Sequence, residues 1–266
     1  MTARQLPTKM VEKVWGRDTL PAPFAAPAGA RIGEIWFEPP VEVPQVLVKY
    51  LFTSEKLSVQ VHPSDATAIA GEAGKEECWL VLDAAPDARL AIGFEREVTA
   101  AEIEAAAKDG TIEDLLTWHP ARPGDLFYLP AGTVHAIGPG LALVEVQQTS
   151  DTTFRLYDYG RPRELHLERA LAVASGAPYA AQHKRSIAAG QVLVDGPHFR
   201  LDRVEGAPDA ATLADYRGAL LVLPLAGEVA ACDGSARAGA GECLVADGLA
   251  SLDFGAAEVT LLTRAA

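Results

Sequence analysis

The stretch KLSVQVHPSD, residues 56–65, alternates two kinds of side chain until a proline stops it. In an extended strand Leu57, Val59 and Val61 fall on one face, and Ser58, Gln60 and His62 on the other. The apolar face asks for a core. The other face carries a hydroxyl, an amide and an imidazole. Gln60 and His62, two positions apart, can reach the same point and make half of a metal site. Taken alone, the pattern also fits the solvent-facing side of an edge strand, so the rest of the chain has to decide.

Similar short runs lie on either side: RIGEIWF (31–37), QVLVKYLF (45–52), ECWLVLD (77–83), LAIGF (90–94), DLFYLP (125–130) and LALVEVQQ (141–148). Each is bounded by Gly, Pro, Asp or Ser, which indicates a mainly β protein, a barrel or sandwich of short strands. LPAPFAAPAGA (20–30), in a Pro- and Ala-rich beginning, reads as loop. Helices are few. TAAEIEAAAKDG (99–110) opens with a capping box, Thr99 with Glu102, and Gly110 is its stop. TIEDLLTWH (111–119) and ELHLERALAVASG (164–176) are expected as two more, the last stopped by Gly176. From about residue 185 the pattern is purely β, with glycine turns every 8–10 residues, as in ALLVLPLAG (219–227), EVAACDG (228–234) and EVTLLTR (258–264). A boundary in ASGAPYAAQHKR (174–185) divides the chain into an N-terminal unit, 1–178, that holds the candidate site and a smaller β unit, 185–266.

The 266 residues are 49% hydrophobic and 22% charged, ordinary for a globular protein. A net charge of −13 argues against nucleic-acid binding and requires a locally basic pocket for any anionic substrate. No run of 18 apolar residues predicts a membrane span, and MTARQLPTKMVEK lacks the apolar core of a signal peptide, so a cytoplasmic protein is expected. Cys78, Cys232 and Cys243 are odd in number and form no CxxC pair, which excludes a disulfide framework or four-cysteine zinc site; all three are expected as small buried residues.

Three later segments bear on the opening stretch. AGKEECWLVLD (73–83) opens a strand with Glu76 and Glu77. LPAGTVHAIGPG (129–140) carries His135 among Pro130, Gly132, Gly138 and Gly140, which fix the backbone around it. LALVEVQQTSDTTFRLYDYGR (141–161) sets Glu145 on the face of Leu143 and Gln147, with Arg155 ten residues later. Two His, a Glu and a Gln are mixed N/O donors that suit a borderline divalent ion, zinc first. His119, His166, His183 and His198 read as surface or structural residues.

Together LSVQVHP (57–63), GKEECW (74–79), FYLPAGTVHAIG (127–138) and LVEVQQTSDTTFRLYDYGR (143–161), followed by RELHLERAL (163–171), resemble type I phosphomannose isomerase in its short bacterial form. The resemblance runs from EKVWG (12–16) to about residue 175; beyond that only the general β character matches. It implies a pair of cupin-type jelly-roll barrels with a few short helices. It implies one zinc ion per chain, held by Gln60, His62, Glu77 and His135. It makes Arg155 a catalytic arginine with Glu145 nearby, and puts Ser58 and Lys75 in the substrate pocket. The implied reaction interconverts mannose 6-phosphate and fructose 6-phosphate through a cis-enediol, with Glu145 and then Lys75 as candidates for the base. Ser58, Lys75, Arg155 and Arg161 are the candidates for holding the sugar phosphate. A monomer with no nucleic-acid or membrane partner is expected. WGR with Arg17 departs from the family's WGG, and no large helical insertion is present. Three alternatives stay open: an isomerase of a free aldose, a non-enzymatic sugar- or metal-binding cupin, and a metal oxygenase.

Overall fold

The computed structural model describes residues 3–187 and 191–266, which form three antiparallel sheets. The central seven-stranded sheet runs in the order Lys184–Ser186, Asp125–Leu129, Glu77–Ala84, Leu141–Gln148, Val46–Phe52, Ile32–Phe37 and Thr8–Arg17. Facing it is a five-stranded sheet of Phe154–Tyr157, Val59–Val61, His135–Ile137, Arg89–Phe94 and Leu116–Pro120. The third, C-terminal sheet runs Ala3–Gln5, Leu244–Ala246, Leu220–Ala231, Leu252–Ala265, Phe199–Glu205 and Val192–Asp195, with Arg237–Gly239 beside Leu220–Ala231.

The central sheet is buried on both faces, and this is why Val46–Phe52 reads as a nearly continuous apolar run rather than an alternation. One face packs Leu51, Trp79, Val81 and Leu143 against Leu90, Ile92 and Ile137 of the five-stranded sheet. The other packs Val48, Tyr50, Leu80 and Val144 against Leu201, Leu221, Val245 and Leu261 of the C-terminal sheet. The outer face of the five-stranded sheet is covered in turn by helices, with Val59, Val61 and Ala136 against Ile103, Ala106 and Ala170. The C-terminal sheet curls around a core of its own that includes Tyr216, Val222, Val229 and Leu262. No helix among the described residues is long and apolar enough to cross a membrane.

Several elements differ from expectation, each for a local reason. The strand in the opening stretch is only Val59–Val61, so Leu57 escapes the alternation and packs on the opposite side from Val59. The second helix is the single turn Ile112–Leu115; the chain then extends as Leu116–Pro120, which puts His119 on a strand. The third helix is Leu167–Val173, with His166 at its N-cap. Gly176 is not its stop: a Cβ there would lie 1.9 Å from the Val98 carbonyl oxygen, so this glycine permits a backbone approach. In the C-terminal half the Gly227 turn is instead a bulge inside one long strand, Leu220–Ala231, and an unforeseen helix, Ala210–Asp215, is capped by the Asp209 side chain. Cys78 and Cys243 are buried as expected, but Cys232 is exposed. The helix Ala100–Asp109 has the full Thr99–Glu102 capping box and the left-handed Gly110 cap.

Strand pairing crosses between the two halves of the chain. Ala3–Gln5 pairs with Leu244–Ala246, and Lys184–Ser186 with Asp125–Leu129.

The turn ahead of His135 depends on Gly132. Its φ is +84°, its N–H donates to the His62 carbonyl at 2.9 Å, and an added Cβ would lie 2.9 Å from the Val173 carbonyl oxygen. Gly132→Ala is expected to cost about 1–2 kcal/mol from the left-handed backbone alone. Urea unfolding followed by circular dichroism measures this; an unchanged midpoint would show that the turn relaxes freely.

Candidate metal centre

The strand register assembles the site. Gln60 lies opposite His135 on one side and Arg155 on the other, so three strands of the five-stranded sheet aim side chains at the central sheet. His62 follows two positions after Gln60 on the same face. Glu77 begins its strand in the facing sheet, opposite Gln147. The result is a buried cluster in which ligand atoms of His62, Glu77 and His135 all lie within 4.8 Å of one another. His62 Nε2 is 3.6 Å from Glu77 Oε2, and His135 Nε2 is 3.5 Å from Glu77 Oε1. Gln60 reaches His135 Nε2 at 3.3 Å through its amide nitrogen.

Main-chain carbonyls fix both imidazole tautomers. His62 Nδ1 is 2.9 Å from the Thr152 carbonyl oxygen and His135 Nδ1 is 2.9 Å from that of Thr133. A carbonyl only accepts, so each Nδ1 carries the proton and each Nε2 presents a lone pair to the cluster. Burial, with Lys75 adding repulsion, pushes His62 down to about 4, and burial also lowers His135, so both rings are neutral near pH 7. Burial alone would raise Glu77, but the charge of Lys75 holds it well below the usual carboxylate range. Lys75 Nζ is 2.8 Å from Glu77 Oε2 and 3.2 Å from His62 Nε2. Burial opposes its charge, yet Glu77 and Glu145 raise its pKa, and it remains an ammonium.

These residues fit a metal ion. Two nitrogen lone pairs and a carboxylate converge, and Glu77 Oε2 has no well-angled hydrogen bond among the described residues despite the nearby ammonium. Main-chain carbonyls holding the far nitrogens are the usual outer support of histidine ligands. Gln60 could offer its oxygen after a 180° turn of the amide; as it stands, that oxygen accepts from Ser58 Oγ at 3.1 Å.

The other expected residues divide. Ser58 and Lys75 are part of the cluster's surroundings. Arg155 is opposite Gln60, with its Nε buried and without a hydrogen-bond partner among the described residues; burial, then Arg163, lowers its pKa. Glu145 is one step along the face from Gln147, where it pairs with Lys49 at 3.2 Å and accepts from Trp79 Nε1 at 3.0 Å. Arg161 is elsewhere: it binds Glu55 at 2.9 Å, Asp158 at 3.2 Å and the Lys56 carbonyl, stapling the 158–161 turn to the segment before Ser58. Lys49 was not among the expected residues. Its signal was a lysine inside the apolar run QVLVKYLF; the structure buries it at 2% exposure, over the Trp36 ring and against Glu145. Gln147, with a buried unpartnered Oε1 on the face of Glu77, was likewise missed as a site residue.

Two relatives and two solved structures bear on what this geometry is. A mannose-6-phosphate isomerase of Bacillus subtilis is 44% identical over 137 residues, covering 48% of this chain and 43% of that protein. A mannose-6-phosphate isomerase of Streptococcus mutans is 39% identical over 197 residues, covering 69% of this chain and 61% of that protein. The matched part of the chain therefore spans between two fifths and two thirds of these relatives' length. The crystal structure of mannose 6-phosphate isomerase from Bacillus subtilis superposes with a TM-score of 0.79 at 24% identity, over 99% of this chain and 100% of that one. The chain resembles the mannose-6-phosphate isomerases in sequence and in fold. A single-site variant of phosphomannose isomerase from Salmonella typhimurium gives a TM-score of 0.71 at 15% identity, covering 100% of both chains. At these identities the structural likeness to the mannose-6-phosphate isomerases is one of fold, mainly β and cupin-type. No protein-family model matches the chain.

The side chains of Lys49 and Glu145 are 3% and 5% exposed, so removing one partner strands a buried charge. Lys49→Met is expected to destabilise by roughly 3–5 kcal/mol, and adding Glu145→Gln to recover a large part of it. A double-mutant cycle by urea unfolding measures the coupling; additive losses would mean that the pair does not act as a pair.

Proposed function

We propose that the protein is a zinc-dependent aldose–ketose isomerase that interconverts mannose 6-phosphate and fructose 6-phosphate. One observation carries this reading: two tautomer-fixed imidazoles and an ionised carboxylate converge within 4.8 Å in a chain that resembles mannose-6-phosphate isomerases. His62, Glu77 and His135 would hold the ion, with Gln60 as a fourth donor, a set that suits zinc. Zinc bound there supplies a Lewis acid for the sugar's oxygens.

The chain's own residues account for the rest. Aldose–ketose exchange takes a proton from C2 and returns one to C1, while a hydroxyl proton passes from O2 to O1. Negative charge builds on oxygen in the enediol stage. Arg155, opposite Gln60, holds that oxygen by charge-assisted hydrogen bonds, and Lys75, kept protonated by its carboxylate neighbours, adds a second positive charge. Glu145, on the face of Gln147, is the carboxylate for the carbon-bound proton. Ser58 orients Gln60 and lies where a substrate hydroxyl or phosphate oxygen can meet it. Arg161 acts from outside, by holding the turn that follows Arg155's strand. The enzyme works in the cytoplasm as a monomer.

The test is a coupled assay on mannose 6-phosphate and on free mannose, with metal-stripped protein and after zinc is restored. Turnover of the phosphorylated sugar is expected, lost on stripping and regained with zinc. Glu77→Ala and His135→Ala are expected to lose both bound metal and at least 100-fold in turnover. Full turnover of Glu77→Ala in chelator would overturn the metal reading, and preference for free mannose would overturn the phosphate. Tight Fe(II) and no isomerisation would favour an oxygenase.

A further inference from the structure

His198 belongs to the C-terminal sheet, in the turn between Val192–Asp195 and Phe199–Glu205, yet it reaches the loop that carries Lys75. That loop leaves the cluster after His62 and returns at Glu77. Its ends are drawn together by bonds from the Lys75 N–H to the Pro63 carbonyl (2.8 Å) and from the Gly74 N–H to Asp65 Oδ1 (2.7 Å). Gln148 joins them, donating to Asp65 Oδ1 at 3.1 Å and accepting from the Glu76 N–H at 2.9 Å. Tyr128 donates its hydroxyl to Glu76 Oε2. The remaining oxygens, Asp65 Oδ2 and Glu76 Oε1, both face His198: Nδ1 is 3.6 Å from the first and Nε2 is 3.8 Å from the second.

We propose that His198 is a positioning residue for the metal centre, bridging Asp65 at the start of the loop to Glu76 at its end and so holding Lys75 and Glu77 in place. The proposal rests on the metal-site reading above. Two carboxylates drawn together at a loop closure repel one another, and an imidazole whose two nitrogens lie within 4 Å of one oxygen of each separates them and can turn an N–H toward one of them. Glu76 is the neighbour of Glu77 and Lys75, so a shift of Glu76 moves the ligand and the ammonium together. The bridge also gives the C-terminal sheet a part in a site that its own strands do not line. The Ala266 N–H bonds the His198 carbonyl at 3.2 Å, tying the turn to the end of the long strand Leu252–Ala265. A cleft of about 500 Å³, lined by residues that include Gln45, Asp65, Gln148 and His198, opens beside the imidazole. Truncating His198 therefore enlarges an open cleft and leaves the core clusters intact.

The experiment measures zinc affinity of the full chain by competition with a chromophoric chelator, together with the visible spectrum of the cobalt-substituted protein and the melting temperature. The parent is expected to bind. His198→Ala is expected to bind about 10-fold or more weakly, the usual cost of losing an outer support, with an altered cobalt spectrum and the parent's melting temperature. His198→Arg, which offers donors to both carboxylates from the same position, is expected to restore the affinity. Parent-like affinity and spectrum in His198→Ala would overturn the bridge, as would a folded His198→Arg no better than His198→Ala. A parent that takes up no metal would instead overturn the metal-site reading, a result distinct from either.

Discussion

The arrangement depends on a buried carboxylate facing two lone pairs. Glu77 is 1% exposed, and the nitrogens aimed at it belong to imidazoles whose protons are committed elsewhere. Acceptors turned toward an anion repel it, so the geometry stands only with a cation among them. Lys75 supplies a cation from one side, and a divalent ion would supply a stronger one at the centre. The supports are spread through the chain. Thr152 and Thr133, in segments without regular structure, hold the rings, and Gly132 ties the second segment to His62.

Strand register then decides where charge can go. Trp36, Lys49, Glu145 and Trp79 lie directly across four strands of the central sheet, on the face toward the cluster. The opposite face packs the C-terminal sheet through Val48, Tyr50, Leu80 and Val144. A slip of one residue would turn Lys49 and Glu145 into that apolar interface and Tyr50 and Val144 out of it. The buried ion pair thus specifies register as well as filling space.

What could be read in the sequence was what periodicity and local chemistry dictate. Gln60 and His62 fell on one face because a strand alternates, and the Thr99–Glu102 box needed only four residues to be recognised. His135 stood out among residues that restrict the backbone. The alternation puts Leu57 on the wrong face, because its side depends on where the strand begins, a matter of pairing with distant segments. Gly227 was ambiguous in the same way: a left-handed glycine serves a turn or a bulge, and only the partner strand chooses. Lys49 was hidden by its surroundings, since an isolated lysine in an apolar run gains a partner only once Glu145 is laid beside it. His198 carried no sequence signal, because Asp65 and Glu76 meet it only through the packing of one sheet on another.

The charge pattern resolves a tension within an acidic chain. A net charge of −13 repels an anionic ligand at long range, so attraction must be local. Along the interior, positive and negative groups alternate from Lys13 through Glu34, Lys49 and Glu145 to Lys75 and Glu77, which leaves little net field there. On the adjoining turn Arg161 and Arg163 are spent on Asp158 and Glu55. Arg155 differs from both: it is half-buried, its Nε lacks a hydrogen-bond partner among the described residues, and it lies across from Gln60. A half-buried guanidinium whose Nε has no acceptor beside it keeps the capacity to bind an anion there. With Arg161 and Arg163 paired to carboxylates, Arg155 is the arginine of this turn and its strand that keeps that capacity.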